Sequence, residues 1–112
     1  MHNKPEDMRK EVRVKMRGGE GQAIVTHLAE GIPNMRLFGL IQLDKDCSIG
    51  EHEHHNESEV YYIIQGKALV TDCEKSYYVE AGDCAITLDN EYHSIVNPYD
   101  EPLILLAAVV HN

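Results

Sequence analysis

The sequence predicts an all-β fold, closed as a barrel or sandwich within one domain. Three observations predict it. After about residue 10, almost every segment is strand-length and rich in Val, Ile, Tyr, Leu and Thr. The breaks between segments carry turn chemistry: Gly18-Gly19, Gly31-Ile32-Pro33-Asn34, Lys45-Asp46, Gly66, Asp72 to Lys75, Gly82, Asp89-Asn90 and Asn97-Pro98. No segment offers a helix long enough to pack. A chain of 112 residues has room for one modest core. Residues 1–10 read as an N-terminal tail or short helical turn, and 11–112 as the barrel.

Strands are expected near 12–17, 22–29, 35–43, 47–54, 58–65, 67–73, 76–80, 83–88, 92–97 and 102–110. Around the first lies a basic cluster, Arg9, Lys10, Arg13, Lys15 and Arg17. It reads as an exposed edge strand whose charges discourage further pairing; a patch for an anion or anionic lipid is the other reading. Side chains alternate across a strand. The third strand therefore has the faces Met35, Leu37, Gly39, Ile41, Leu43 and Arg36, Phe38, Leu40, Gln42, and the pattern does not say which turns inward. The last strand is apolar on both: Leu103, Leu105, Ala107, Val109 against Ile104, Leu106, Ala108, Val110. Such a strand needs cover on both sides. In so small a barrel the second cover is expected to be a partner subunit, hence a homodimer.

A formal charge of −9 argues against nucleic acid, whose phosphates need a dense basic surface. No run approaches the ~18 to 20 apolar residues of a membrane span. Met1 to Asp7 is polar, without the apolar centre of a secretory signal, so the expected compartment is the cytoplasm. Cys47, Cys73 and Cys84 form no Cys-x-x-Cys pair and read as reduced thiols, each a small core hydrophobe.

The chemistry lies in Gly50-Glu51-His52-Glu53-His54-His55-Asn56-Glu57-Ser58-Glu59. On a strand, His52 and His54 point to the same face with Cα atoms roughly 6.5 to 7 Å apart, so two imidazoles converge on one ion. Asn56 to Ser58 reads as a short hairpin connection returning Glu59 beside them. His93, in Tyr92-His93-Ser94-Ile95, supplies a fourth donor from another strand. Three imidazoles and a carboxylate suit one divalent metal ion: Mn, Fe, Zn, Ni or Co. The plain alternative is a solvated His-rich loop. His55 has the wrong parity and reads as a surface residue. Glu57 replaces Glu59 only if the hairpin is tighter. His27 and His111 read as structural.

This pattern resembles the cupin superfamily. Its first motif, Gly-x5-His-x-His-x3–4-Glu-x6-Gly, is matched in spacing by His52-x-His54-x4-Glu59-x6-Gly66, with Asp46 at the leading Gly. Its second, Gly-x5-Pro-x-Gly-x2-His-x3-Asn, is matched by Gly82, His93 and Asn97, with Leu88 in place of Pro and Asn90 in place of Gly. Asn tolerates the left-handed conformation the glycine provides. The resemblance implies a jelly-roll β-barrel with metal at its centre, held by His52, His54, Glu59 and His93.

Parity from Glu59 turns Tyr61 and Ile63 inward, and parity from His93 does so for Ile95 and Asn97. Tyr61 reads either as a packed barrel tyrosine or as a group that orients a ligand or shuttles a proton. The expected partner is a small molecule, in a pocket of mostly apolar lining. Similarity to cupins implies an enzyme binding a small organic acid or enolisable molecule at two open metal positions, of dioxygenase, decarboxylase, lyase or isomerase type. The alternative is a non-catalytic, metal-dependent binding or sensor module.

Overall fold

The computed structural model describes residues 1–112. Ten strands follow in chain order: β1 Arg9–Val14, β2 Gln22–His27, β3 Met35–Leu43, β4 Ser48–Glu53, β5 Glu57–Gln65, β6 Lys67–Asp72, β7 Lys75–Glu80, β8 Cys84–Thr87, β9 Tyr92–Val96 and β10 Leu103–His111. They build two antiparallel sheets, one ordered β1-β2-β3-β10-β5-β8 and one ordered β4-β9-β6-β7. The only helical turns are 3-10 turns at Pro5–Asp7 and Met16–Gly18. The sheets face each other as a flattened jelly-roll barrel, and the core lies between them.

The alternation written in the sequence decides which side chains enter that core. In β3 the buried face is Leu37, Gly39, Ile41 and Leu43, which settles the choice the pattern left open. In β10, Leu103, Leu105, Ala107 and Val109 have no exposed surface, while Ile104, Leu106 and Ala108 on the other face are half-buried. Ile41, Ile63, Ile95 and Leu105 are sealed on all sides. Each such side chain contributes about 1.5–3 kcal/mol through removal from water. Tyr61 is seated by its neighbours in register, Ala85 and Ala107 on the flanking strands and Gly39 beyond. A bulky ring in a row of small residues fits without overpacking.

Several expectations shift. The first strand runs 9–14 rather than 12–17, because Lys15 and Arg17 take left-handed conformations (φ 50° and 55°) and turn the chain. It is an edge strand, as its charges suggested. All three cysteines are free, but only Cys47 packs against the core; Cys73 forms the β6–β7 turn and Cys84 is exposed on the outer side of β8. The largest correction concerns β4 and β5, which are not a hairpin. They lie in opposite sheets, so the chain at His54 to Asn56 crosses the sandwich. Asn56 makes this crossing in a left-handed conformation (φ 60°) while its amide donates to Asp89 Oδ1 at 2.6 Å. Asp46 (φ 64°) and Asn90 (φ 65°), which stand at glycine positions of the two motifs, also adopt positive φ.

Candidate metal centre

His52 and His93 are directly paired residues of β4 and β9. An irregularity between Ile49 and His52 interrupts the ladder, a local change that re-aims side chains. His54 lies just beyond β4, held by its amide to Glu91 O (3.0 Å) and by the Asn90 amide to its carbonyl (2.7 Å). Glu59 comes from β5 in the opposite sheet, paired with Thr87 and Val109. The carboxylate therefore meets the histidines across the barrel and not along a turn. His54, Glu59 and His93 are buried, and His52 is nearly so.

One donor atom from each of the four lies within 4.8 Å of every other. Glu59 Oε1 is 2.9 Å from His93 Nε2, 3.0 Å from His54 Nε2 and 3.5 Å from His52 Nε2. His93 Nε2 is 2.9 Å from His52 Nε2 and 3.1 Å from His54 Nε2. The outer nitrogens are engaged elsewhere. His52 Nδ1 donates to Gly50 O (2.9 Å), and His54 Nδ1 donates to Glu57 Oε1 (2.8 Å). His93 Nδ1 meets the Thr87 hydroxyl at 2.7 Å. Gly50 O and the Glu57 carboxylate only accept, so the neutral rings of His52 and His54 carry lone pairs on Nε2. Those lone pairs aim at His93 Nε2 and Glu59. One N–H on His93 satisfies only one of its contacts; a single cation at the centre satisfies all of them.

The spacing fits such a cation. Adjacent donors on an octahedral ion with bonds of about 2.1 Å lie about 3.0 Å apart, against about 3.4 Å on a tetrahedral one. Four of the separations here are 2.9–3.1 Å. The fixed Nδ1 contacts set each ring's tautomer and orientation, as outer partners of metal-binding histidines do.

Burial opposes ionisation of Glu59 more than any other single effect, yet its contacts with the three imidazoles of His52, His54 and His93 together hold its carboxyl well below the usual range. The bond to Glu59, against the opposing cost of burial and with help from Glu57, raises the proton affinity of His54. Glu57 is lowered to about 2, chiefly by Arg36, which grips it through Nε (2.9 Å) and Nη2 (2.8 Å). Tyr61 stacks on His93 with ring centroids 5.0 Å apart and planes 16° from parallel. Burial first, then the Glu59 charge, raises its phenol well above its ordinary value.

The structure thus brings together all four residues singled out in the sequence and turns Tyr61, Ile63, Ile95 and Asn97 inward. Asn97, fully buried, donates from Nδ2 to Leu43 O and Glu101 O, both at 2.9 Å, and so ties loops at one barrel end. His55 is exposed and sits 3.3 Å from Glu53. His27 is buried and bound to Glu11 at 2.6 Å, a structural role; His111 is exposed. Sequence reasoning missed the outer partners. Glu57 shares Glu59's parity, a signal that was available, but it serves His54 Nδ1 instead of competing for the centre. Thr87 and Gly50 O are visible only once the register is known.

Comparison with known proteins agrees with this architecture. The Cupin_2 family, described as Cupin domain, matches residues 39–109. The chain is 38% identical over 98 residues to the oxalate-binding protein of Thermotoga maritima, covering 85% of this chain and 81% of that one. It is 33% identical over 55 residues to the uncharacterized protein MJ1618 of Methanocaldococcus jannaschii, covering 49% and 44%. Among solved structures, a predicted oxalate decarboxylase from Thermotoga maritima superposes with a TM-score of 0.94 at 32% identity, over 100% of both chains. A sugar phosphate isomerase of the cupin superfamily from Silicibacter pomeroyi superposes at 0.82 with 18% identity, over 100% of this chain and 76% of that one, which shows the fold alone. With two motifs, ten strands and a four-donor centre in the barrel accounted for, this chain belongs to the cupin family.

Proposed function

We propose that this cupin holds one divalent metal ion through His52, His54, Glu59 and His93 and binds a small organic acid or enolisable molecule against it. The observation that carries the reading is the convergence of four donor atoms, all within 4.8 Å of one another, while the outer nitrogens of His52 and His54 are engaged by Gly50 O and Glu57. A bound ion would supply Lewis acidity to a ligand held against it. The chain's own residues hold the donors in one tautomer, keep Tyr61 protonated beside the site and exclude water from it. The relative named an oxalate-binding protein supports a small acid as the ligand class. Whether the acid is turned over, as in a decarboxylase, oxygenase, lyase or isomerase, or only bound as in a sensor, is separated by experiment. Elemental analysis of the protein should give about one equivalent of metal, lost in His52→Ala and His93→Ala. Titration calorimetry with oxalate should then give binding that disappears with the metal. Formate appearing from oxalate would make the protein a decarboxylase; saturable binding with no product across a screen of small acids would favour the binding module. Absence of metal, both as purified and after incubation with Mn, Fe, Zn, Ni or Co, would refute the reading.

We also infer a homodimer through the outer face of the six-stranded sheet. Val12, Tyr62, Ile64 and Ile86 are exposed there, with half-buried Phe38, Leu40, Ile104 and Leu106 among them. Six strands spaced about 4.8 Å and up to about 30 Å long give roughly 600–700 Å² of flat area, near the ~800 Å² per partner of a stable interface. Sedimentation should show a dimer that Leu106→Lys converts to monomer, and a wild-type monomer at high concentration would end this inference. The free thiols support a reducing compartment such as the cytoplasm. No helix is long and apolar enough to cross a membrane.

A further inference from the structure

One buried polar atom has no partner in the protein: Asp72 Oδ1. Asp72 ends β6, where it is paired with His93 of β9. It shares parity with Ala68 and Val70, both in the core, so its side chain lies on the interior face. Side chains of directly paired antiparallel residues have Cβ atoms about 4.5–5.5 Å apart. The carboxyl group therefore stands one strand from the metal centre, beside a ring that belongs to it. Lys75, its partner across the β6–β7 hairpin, does not bond to this oxygen.

Asp72 is also a wall of the largest cavity, about 510 Å³, open to solvent and lined by Asp72, Cys73, Glu74, Lys75, Glu91 and Tyr92. None of the four donors lines this cavity, but two of its residues are direct neighbours of His93, Tyr92 in sequence and Asp72 across the ladder. The volume suits a small molecule. Asp72 thus lies beside both this cavity and His93, with an acceptor that nothing in the protein uses. Buried polar groups in native proteins are satisfied as a rule, and an exception calls for a ligand or water.

We propose that Asp72 is a specificity-determining residue that accepts a hydrogen bond from a hydroxyl group of the metal-held ligand, so that the site favours hydroxy acids over the same acids without the hydroxyl. This rests on the small-acid reading above. A site built around a hydroxyl also rejects the analogue that lacks it, because its own acceptor is then left unpaired.

The test compares glycolate with acetate on metal-loaded protein by titration calorimetry, with metal content measured in every sample. Wild type should bind glycolate at least about ten-fold more tightly than acetate. Asp72→Ala should keep its metal and its circular dichroism spectrum and lower the ratio several-fold. Asp72→Asn retains an oxygen acceptor and should keep part of the preference, which guards against a folding defect in the alanine variant. An unchanged ratio in Asp72→Ala, or no preference in wild type, overturns the role of Asp72 and leaves the small-acid reading standing. Metal-replete wild type that binds neither acid overturns both. A crystal structure with glycolate in which Oδ1 meets only an ordered water would equally overturn the proposal.

Discussion

Replacing Glu57 with Gln should weaken metal binding without emptying the fold of its structure. Glu57 is not among the four converging donors. It receives the Nδ1 proton of His54 at 2.8 Å and is itself clamped by Arg36 at 2.8 and 2.9 Å. The carboxylate can only accept, so it fixes His54 with its Nε2 lone pair toward the centre. An amide offers an N–H as readily as an oxygen and no longer enforces that tautomer. A hydrogen bond to a charged group is worth about 1.5–3 kcal/mol, and loss of such an outer partner typically costs about 10–100-fold in metal affinity. The two agree, since each ten-fold change is about 1.4 kcal/mol. Competition against a chromophoric chelator, with zinc or manganese as the ion, measures the dissociation constant directly. Arg36 is 41% exposed, so losing its partner leaves it hydrated and the cost to stability small. Unchanged affinity in a fully folded Glu57→Gln protein would refute the claim that this carboxylate orients His54.

Other outcomes follow from the same geometry. A Cβ on Gly50 would collide with the Arg17 carbonyl oxygen, so Gly50→Ala should lower stability by about 1–3 kcal/mol in urea unfolding and also weaken metal binding, because Gly50 O orients His52. Adding a chelator to metal-loaded protein should lower Tm, by the linkage of ligand binding to folding; an unchanged Tm would mean that no ion is held by the folded state. Acid should destabilise the protein through Glu11, whose pKa is lowered to about 2 by Arg13 and then His27. A depressed carboxyl contributes stability above its unfolded value near 4.5 and loses it as pH falls toward 2. Glu11→Gln should therefore flatten the stability profile in that window, and an unchanged slope would show that the contact is too exposed to matter.

Much of this protein is legible in its sequence because a strand's side-chain period is two. That period made the ten segments recognisable and put His52 with His54, Glu59 with Tyr61 and Ile63, and His93 with Ile95 and Asn97. Spacing within the two motifs then marked four residues that meet in space, and Asn90 served as the left-handed residue its position requires. Tertiary structure decided what a local period cannot express. Which face of β3 turns inward depends on the opposite sheet. Glu59 reaches the histidines across the sandwich, because the ladder partners of β4 and β5 lie far along the chain and outcompete the hairpin that proximity suggested. The partners of the Nδ1 atoms, Gly50 O, Glu57 and Thr87, and the unpaired oxygen of Asp72 beside His93 follow from register between strands. Register is a long-range agreement among hydrogen bonds and packing faces, and no single segment carries it.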